Sequence, residues 1–169
     1  APSGHNSQPW KFSIQDNVIS ILVNKERALE ESDPKGRQLL ISIGCAIENL
    51  LIAADYFGFR VDSNYFSDSN NRDLVVKLSF QKALPRKSNS NHLIFEIPKR
   101  QTNRNKYENR SIPSDFIQKL HKLSNQELIV TIVVDQNKRD QIADIVNAAQ
   151  IEVMDQISFR EELSHYIKS

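Results

Sequence analysis

Two short stretches of this chain hold the residues best suited to bind and orient a cofactor. Residues 1–10 read A-P-S-G-H-N-S-Q-P-W. Pro and Gly bracket a short loop rich in Ser and Asn, and Trp10 leads from it into an apolar-alternating segment. Such a loop can turn backbone N–H groups, a Ser hydroxyl and an Asn amide toward one point. Small residues also let the main chain approach a flat polar ring closely. Residues 100–104 read R-Q-T-N-R. Arg100, Thr102 and Arg104 alternate, so an extended backbone puts two guanidiniums and a hydroxyl on one side. That donor set suits a phosphate group. The plain alternatives are a Pro-rich arm for the first stretch and a solvated basic strip for the second. Residues 82–110 hold eight basic and two acidic side chains, so part of that charge only solubilises.

Other chemistries find little support. Cys45 is the single cysteine, which rules out an intrachain disulfide and reads as a small buried apolar residue. The four His, at 5, 92, 121 and 165, lack metal-ligand spacing, and no metal site is expected. No paired-carboxylate hydrolase signature stands out. Trp10 reads as core, Glu48 as facing water, and Asp62 as a cap or turn residue. His5, Lys11, Lys106 and Arg110 read as solvent-facing bystanders.

The elements that must position these residues follow from periodicity. Residues 10–14 alternate as a half-buried strand, Gln15-Asp16-Asn17 is turn chemistry, and Val18–Val23 reads as the second strand of a hairpin. Asp33 and Pro34 predict a helix start, as N-cap and first helical residue. Apolar residues at Leu39, Leu40, Ile43, Ile47, Leu50, Leu51 and Ala54 continue that helix, and Gly58 stops it. Small residues at Gly44, Ala46, Ala53 and Ala54 predict close packing. Residues 60–66 and 74–80 read as strands around a polar turn, and 82–91 as a loop or linker. A short helix is expected over 91–98 and another from Pro113 to about Leu123. A strand over 128–134 precedes helices over 137–155 and 157–167. Strands before and between helices make an α+β class.

With 169 residues, 39% hydrophobic and 25% charged, the chain suits one domain, or one with part of another. A net charge of +1 and a basic stretch without interleaved aromatics argue against a nucleic-acid partner. The longest apolar run, residues 39–59, contains Glu48, Asn49 and Asp55, so no membrane partner is expected. No charged-then-apolar leader is visible, and a single Cys suits a reducing cytoplasm. The chain opens inside a motif without Met, so its start reads as a processed or trimmed end.

Residues 1–10 resemble, almost letter for letter, the signature loop of the nitroreductase-like flavoproteins, A-P-S-x-x-N-x-Q-P-W. Residues 100–113 are similar to another stretch of that family, R-x-S-x-R followed by an aromatic and a V-P pair that opens a helix. Here Thr102 stands in place of Ser, the aromatic is Tyr107 and the pair is Ile112-Pro113. In the family this second segment lies upstream of the loop, whereas here it lies downstream. The inverted order resembles the tandem, Acg-like branch, in which two repeats are fused. Residues 1–95 then look like the later part of a first repeat and 96–169 like the opening of a second. Residues 159–163, F-R-E-E-L, are similar to a segment further on in that repeat.

The resemblance implies a three-layer α/β/α arrangement with a long central helix and a mostly antiparallel sheet. It implies FMN as cofactor, with Pro2, Ser3, Gly4 and Asn6 at the ring edge and Arg100, Thr102 and Arg104 at the phosphate and pyrimidine edge. Arg104 is the candidate for hydrogen bonding near flavin N1 and O2. The implied activity moves electrons from NAD(P)H to a quinone- or nitroaromatic-type acceptor, with no catalytic side chain because the flavin carries the chemistry. The alternative is a non-enzymatic or flavin-free binding protein, since the family's C-terminal basic residues are not found here. A homodimer, or the remainder of a longer chain, is the expected protein partner.

Overall fold

From its first loop the chain enters an antiparallel hairpin, β1 (Trp10–Gln15) and β2 (Val18–Val23), in which Trp10 faces Val23 and Gln15 faces Val18. Asp16, at φ 51°, makes the turn. These coordinates form a computed structural model that describes residues 1–83, 92–108 and 110–167. A helix, α1 (Arg37–Tyr56), follows, then β3 (Phe59–Tyr65) and β4 (Leu74–Lys82). The four strands form one antiparallel sheet in the order β1-β2-β4-β3. Beyond it come α2 (Ser114–His121), α3 (Gln136–Asp155) and α4 (Ile157–Ser164). The α+β class and the antiparallel sheet agree with the sequence.

The sheet is two-sided because its sequences alternate. Phe12 pairs with Ile21, Ile19 with Leu78, and Ile21 with Val76. β1 departs from the half-buried reading of residues 10–14: Phe12 and Ile14 are exposed along with Lys11, Ser13 and Gln15, and only Trp10 is half-buried. Ile43 and Ile47 of α1 pack on Ile21, Val75, Val76 and Leu78, with Trp10 at the margin. Ile21, Ile43, Val76 and Leu78 are wholly buried. Each such side chain contributes about 1.5–3 kcal/mol by leaving water.

The chain separates into two units: Ala1–Gln101 with Ile157–Ser169, and Thr102–Gln156. The first contains the sheet, α1 and α4. The second contains α2, α3 and an irregular segment between them, and none of its described residues is buried.

Local details correct several expectations. The long helix begins at Arg37, not Pro34, because Gly36 adopts φ 66° and serves as its N-cap. Asp33 still caps this end from outside, its carboxylate accepting the Leu39 N–H at 2.8 Å. Gly58, at φ 74°, ends the helix as expected. Gly44 is exposed with open space beside it, so it is no packing notch, whereas Ala46 and Ala54 are buried. Where a short helix is expected over 91–98, the described residues 92–98 contain a 3-10 turn, Leu93–Phe95. The linker expected over 82–91 lies largely outside the described residues, and its first residue, Lys82, still belongs to β4. Residues 128–134 form no strand, because their unit supplies no second strand to pair with among the described residues. Asp62 is a mid-strand residue of β3 that accepts from Gln81, not a cap. α1 is long and apolar enough to cross a membrane by length and composition, and here one of its faces lies on the sheet.

Candidate functional site

The opening loop is docked on the first unit by its far end. Ser7 and Pro9 are buried, Asn24 donates its N–H to the Pro9 carbonyl at 3.0 Å, and Arg27 donates to the Ser7 carbonyl at 3.2 Å. Ser3 Oγ accepts the Gln8 N–H at 3.0 Å and closes the loop on itself. Gly4–Asn6 form one 3-10 turn in which Asn6 donates to the Ser3 carbonyl. His5, Asn6 and Gln8 take left-handed backbone angles of 47°, 56° and 52°. Non-glycine residues adopt these only where surrounding contacts hold them there, although Asn and His tolerate them best.

This folding leaves the N–H groups of Ser3, Gly4 and His5 without a hydrogen-bond partner among the described residues. These three consecutive donors, with the exposed Asn6 amide beside them, are the groups this loop has left for acceptor atoms among the described residues. Gly4 has its own packing reason. A Cβ there would meet Leu29 Cδ1 at 2.9 Å and Gln38 Oε1 at 3.3 Å, so glycine lets the loop sit close on the protein. Pro2 and Ser3 are half-buried.

The Arg motif is divided by the boundary between units. Arg100 belongs to the first, while Thr102 and Arg104 open the second. All three are exposed, and Arg100 and Arg104 form no ion pair among the described residues. Arg110, by contrast, pairs with Glu108 at 2.9 Å. A guanidinium is a donor suited to phosphate, and each of these two has no carboxylate partner among the described residues.

His5 departs from its sequence reading. It is half-buried, not solvent-facing: its ring lies 6.3 Å from Tyr166 in a stacked arrangement and 6.4 Å from Phe159 edge-on. Its Nε2 lies 3.4 Å from Ser32 Oγ. The Glu162 carboxylate accepts the N–H groups of Glu31 and Ser32, at 2.9 and 3.0 Å, and the Ser32 hydroxyl as well. The Ser32 proton is thereby used, so His5 Nε2 is the donor in their contact. Burial pushes the Glu162 carboxyl up, but the Ser32 hydroxyl, the two backbone N–H groups and the nearby His5 together hold it below the usual carboxylate value. Sequence reasoning singled out residues 159–163 only as a resemblance and did not join Glu162 to Ser32, 130 positions away, or Phe159 and Tyr166 to His5, because no local pattern joins residues so far apart.

Among curated proteins, the chain is 29% identical over 117 residues to a Mycobacterium tuberculosis (strain ATCC 25618 / H37Rv) protein provisionally named NAD(P)H nitroreductase Rv3131. That match covers 69% of this chain and 34% of the relative. A Serratia sp. (strain ATCC 39006) protein, provisionally named NAD(P)H nitroreductase PigM, is 24% identical over 175 residues, covering 99% of this chain and 48% of the relative. The relatives support a nitroreductase-like family. At that level they also support an oxidoreductase. No family model matches the chain. It spans about a third to a half of the length of these two relatives.

Proposed function

We propose that this chain forms part of an FMN-dependent oxidoreductase of nitroreductase type, which moves electrons from NAD(P)H to a small quinone- or nitroaromatic-type acceptor. The observation that carries this reading is the run of free N–H donors at Ser3, Gly4 and His5 in the loop whose sequence resembles the family signature. The relatives' names supply the electron donor class.

In this reading the donors are assigned to FMN by their chemistry. Ser3, Gly4 and Asn6 offer N–H and amide groups to the carbonyl and ring nitrogen atoms of a flavin edge, and Pro2 shapes the approach. Arg100 and Arg104 offer planar forks to the phosphate, and Thr102 adds a hydroxyl. In this reading Arg104 also serves the pyrimidine edge, where a fixed positive charge favours added negative charge. When bound, FMN would supply the hydride- and electron-transfer chemistry between nicotinamide and acceptor. The side chains bind and orient, and none forms or breaks a covalent bond.

Residues 1–95 and 96–169 are read here as the later part of one repeat and the opening of another, in a tandem member of the family with a three-layer core. A homodimer partner or further polypeptide would complete that core. The reading also places the protein in the cytoplasm.

A visible absorption spectrum of the purified protein, with and without added FMN, tests the proposal. Flavin bands that persist through gel filtration, and bleaching of those bands by NAD(P)H, are expected. A protein that remains colourless in excess FMN overturns it. Retained yellow flavin without nicotinamide oxidation selects the non-enzymatic alternative.

A further inference from the structure

We propose that α4 clasps the opening loop and that Glu162 is a positioning residue for its ligand-binding conformation, an inference that rests on the flavin reading of that loop. The loop's own ties hold its two ends. Ser3 and Gln8 are joined to each other, and Ser7 is joined to Arg27. His5, between them, has a left-handed backbone and gains its side-chain contacts from elsewhere in the unit. Phe159 and Tyr166 meet its imidazole ring, and Ser32 receives its Nε2–H.

Ser32 is itself fixed from α4. The Glu162 carboxylate takes two backbone N–H groups and the Ser32 hydroxyl, and bonds to an ionised acceptor are the strong class of hydrogen bond. At the start of α4, the Ser158 hydroxyl donates to Glu31 at 2.8 Å, so the 31–32 turn is held at two points of one helix. The path is therefore Glu162 to Ser32, Ser32 to His5, and His5 to the free N–H groups of Ser3, Gly4 and its own residue. A backbone strained at His5 and Asn6 keeps one conformation only where contacts over-determine it. Removing Glu162 leaves Ser32 free to rotate and the His5 ring without a fixed acceptor, so the loop samples other conformations at residues 3–8.

The test uses the 169-residue protein and its Glu162→Ala and Glu162→Gln variants, with three readouts: backbone amide exchange, thermal midpoint and FMN titration. In Glu162→Ala, exchange at the hydrogen-bonded amides of residues 6–8 and 31–32 should rise about tenfold or more, as loss of charge-assisted bonds implies, while amides of β2 and β4 keep their protection. The FMN dissociation constant should rise about tenfold. Glu162→Gln, which retains an acceptor oxygen, should fall between wild type and Ala, and it carries the test should Ala fail to fold. Unchanged exchange at residues 6–8 overturns the clasp. Faster loop exchange with unchanged FMN affinity overturns the positioning role. A wild-type protein that ignores FMN overturns the flavin reading, and loop exchange then decides the clasp by itself.

Discussion

The Asp33 carboxylate accepts the backbone N–H of Leu39 at 2.8 Å, across the left-handed Gly36 that opens α1. A helix start leaves N–H groups unsatisfied, and this bond fills one of them from outside the first turn. Asp33→Ala should therefore destabilise the protein by about 1 kcal/mol. Urea denaturation checks this, with Asp33→Asn expected to recover part of the loss.

Core and surface of α1 should respond differently. Ile43 is wholly buried against the sheet, so Ile43→Ala loses transfer energy and leaves a cavity, costing about 2–5 kcal/mol. Ile41, 50% exposed on the same helix, should cost within about 0.5 kcal/mol when changed to Ala. Denaturation midpoints at equal protein concentration separate the two.

Glu162 predicts a pH dependence. Its carboxyl is held below the ordinary 4.5 by Ser32, the Glu31 and Ser32 N–H groups and His5, which together outweigh the effect of burial. A lowered carboxyl means that the unfolded chain binds the proton first as pH falls. Its stabilisation is thus complete above the unfolded value and is lost as pH drops through the lower folded one. The stability difference between wild type and Glu162→Gln should hold steady above about pH 5 and shrink in the acid range. Glu31 and His5 lie beside this carboxylate in both proteins.

Arg100 and Arg104 carry charge without a carboxylate partner among the described residues. If they hold the FMN phosphate, Arg104→Ala should weaken FMN binding by about tenfold, with Arg104→Lys intermediate because lysine keeps the charge but not the fork. The thermal midpoint of the ligand-free protein should stay unchanged. Fluorescence titration of FMN and a melting curve check both.

Gly4→Ala should cost about 1 kcal/mol, since the added methyl meets Leu29 and Gln38 at less than comfortable distance. A paired Leu29→Val change should return part of that loss by making room. Thermal melting of the single and double variants measures the coupling.

Much of the sheet was legible because it is local. Alternation at Trp10, Phe12 and Ile14 and the Asp16-Asn17 turn specify the β1-β2 hairpin without help from distant residues. The 3.6-residue repeat from Leu39 to Ala54 and Gly58 specify α1 and its stop. Residues 128–134 misled for the opposite reason. Their β-branched composition is a property of the segment, but a strand also needs a neighbour, and their unit supplies none among the described residues.

For the site, the sequence by itself determined which groups could bind: a small-residue loop at 1–10 and an alternating Arg, Thr and Arg at 100–104. Only the tertiary structure decided that the amides of Ser3, Gly4 and His5 have no partner among the described residues, that Gly4 packs closely on the Leu29 side chain, and that His5 is held from α4 through Ser32 and Glu162. The physical reason is the range of each interaction. Residue type and periodicity act within a turn or a strand, whereas the contacts that hold the loop at His5 join residues far apart in sequence, which only chain folding brings together.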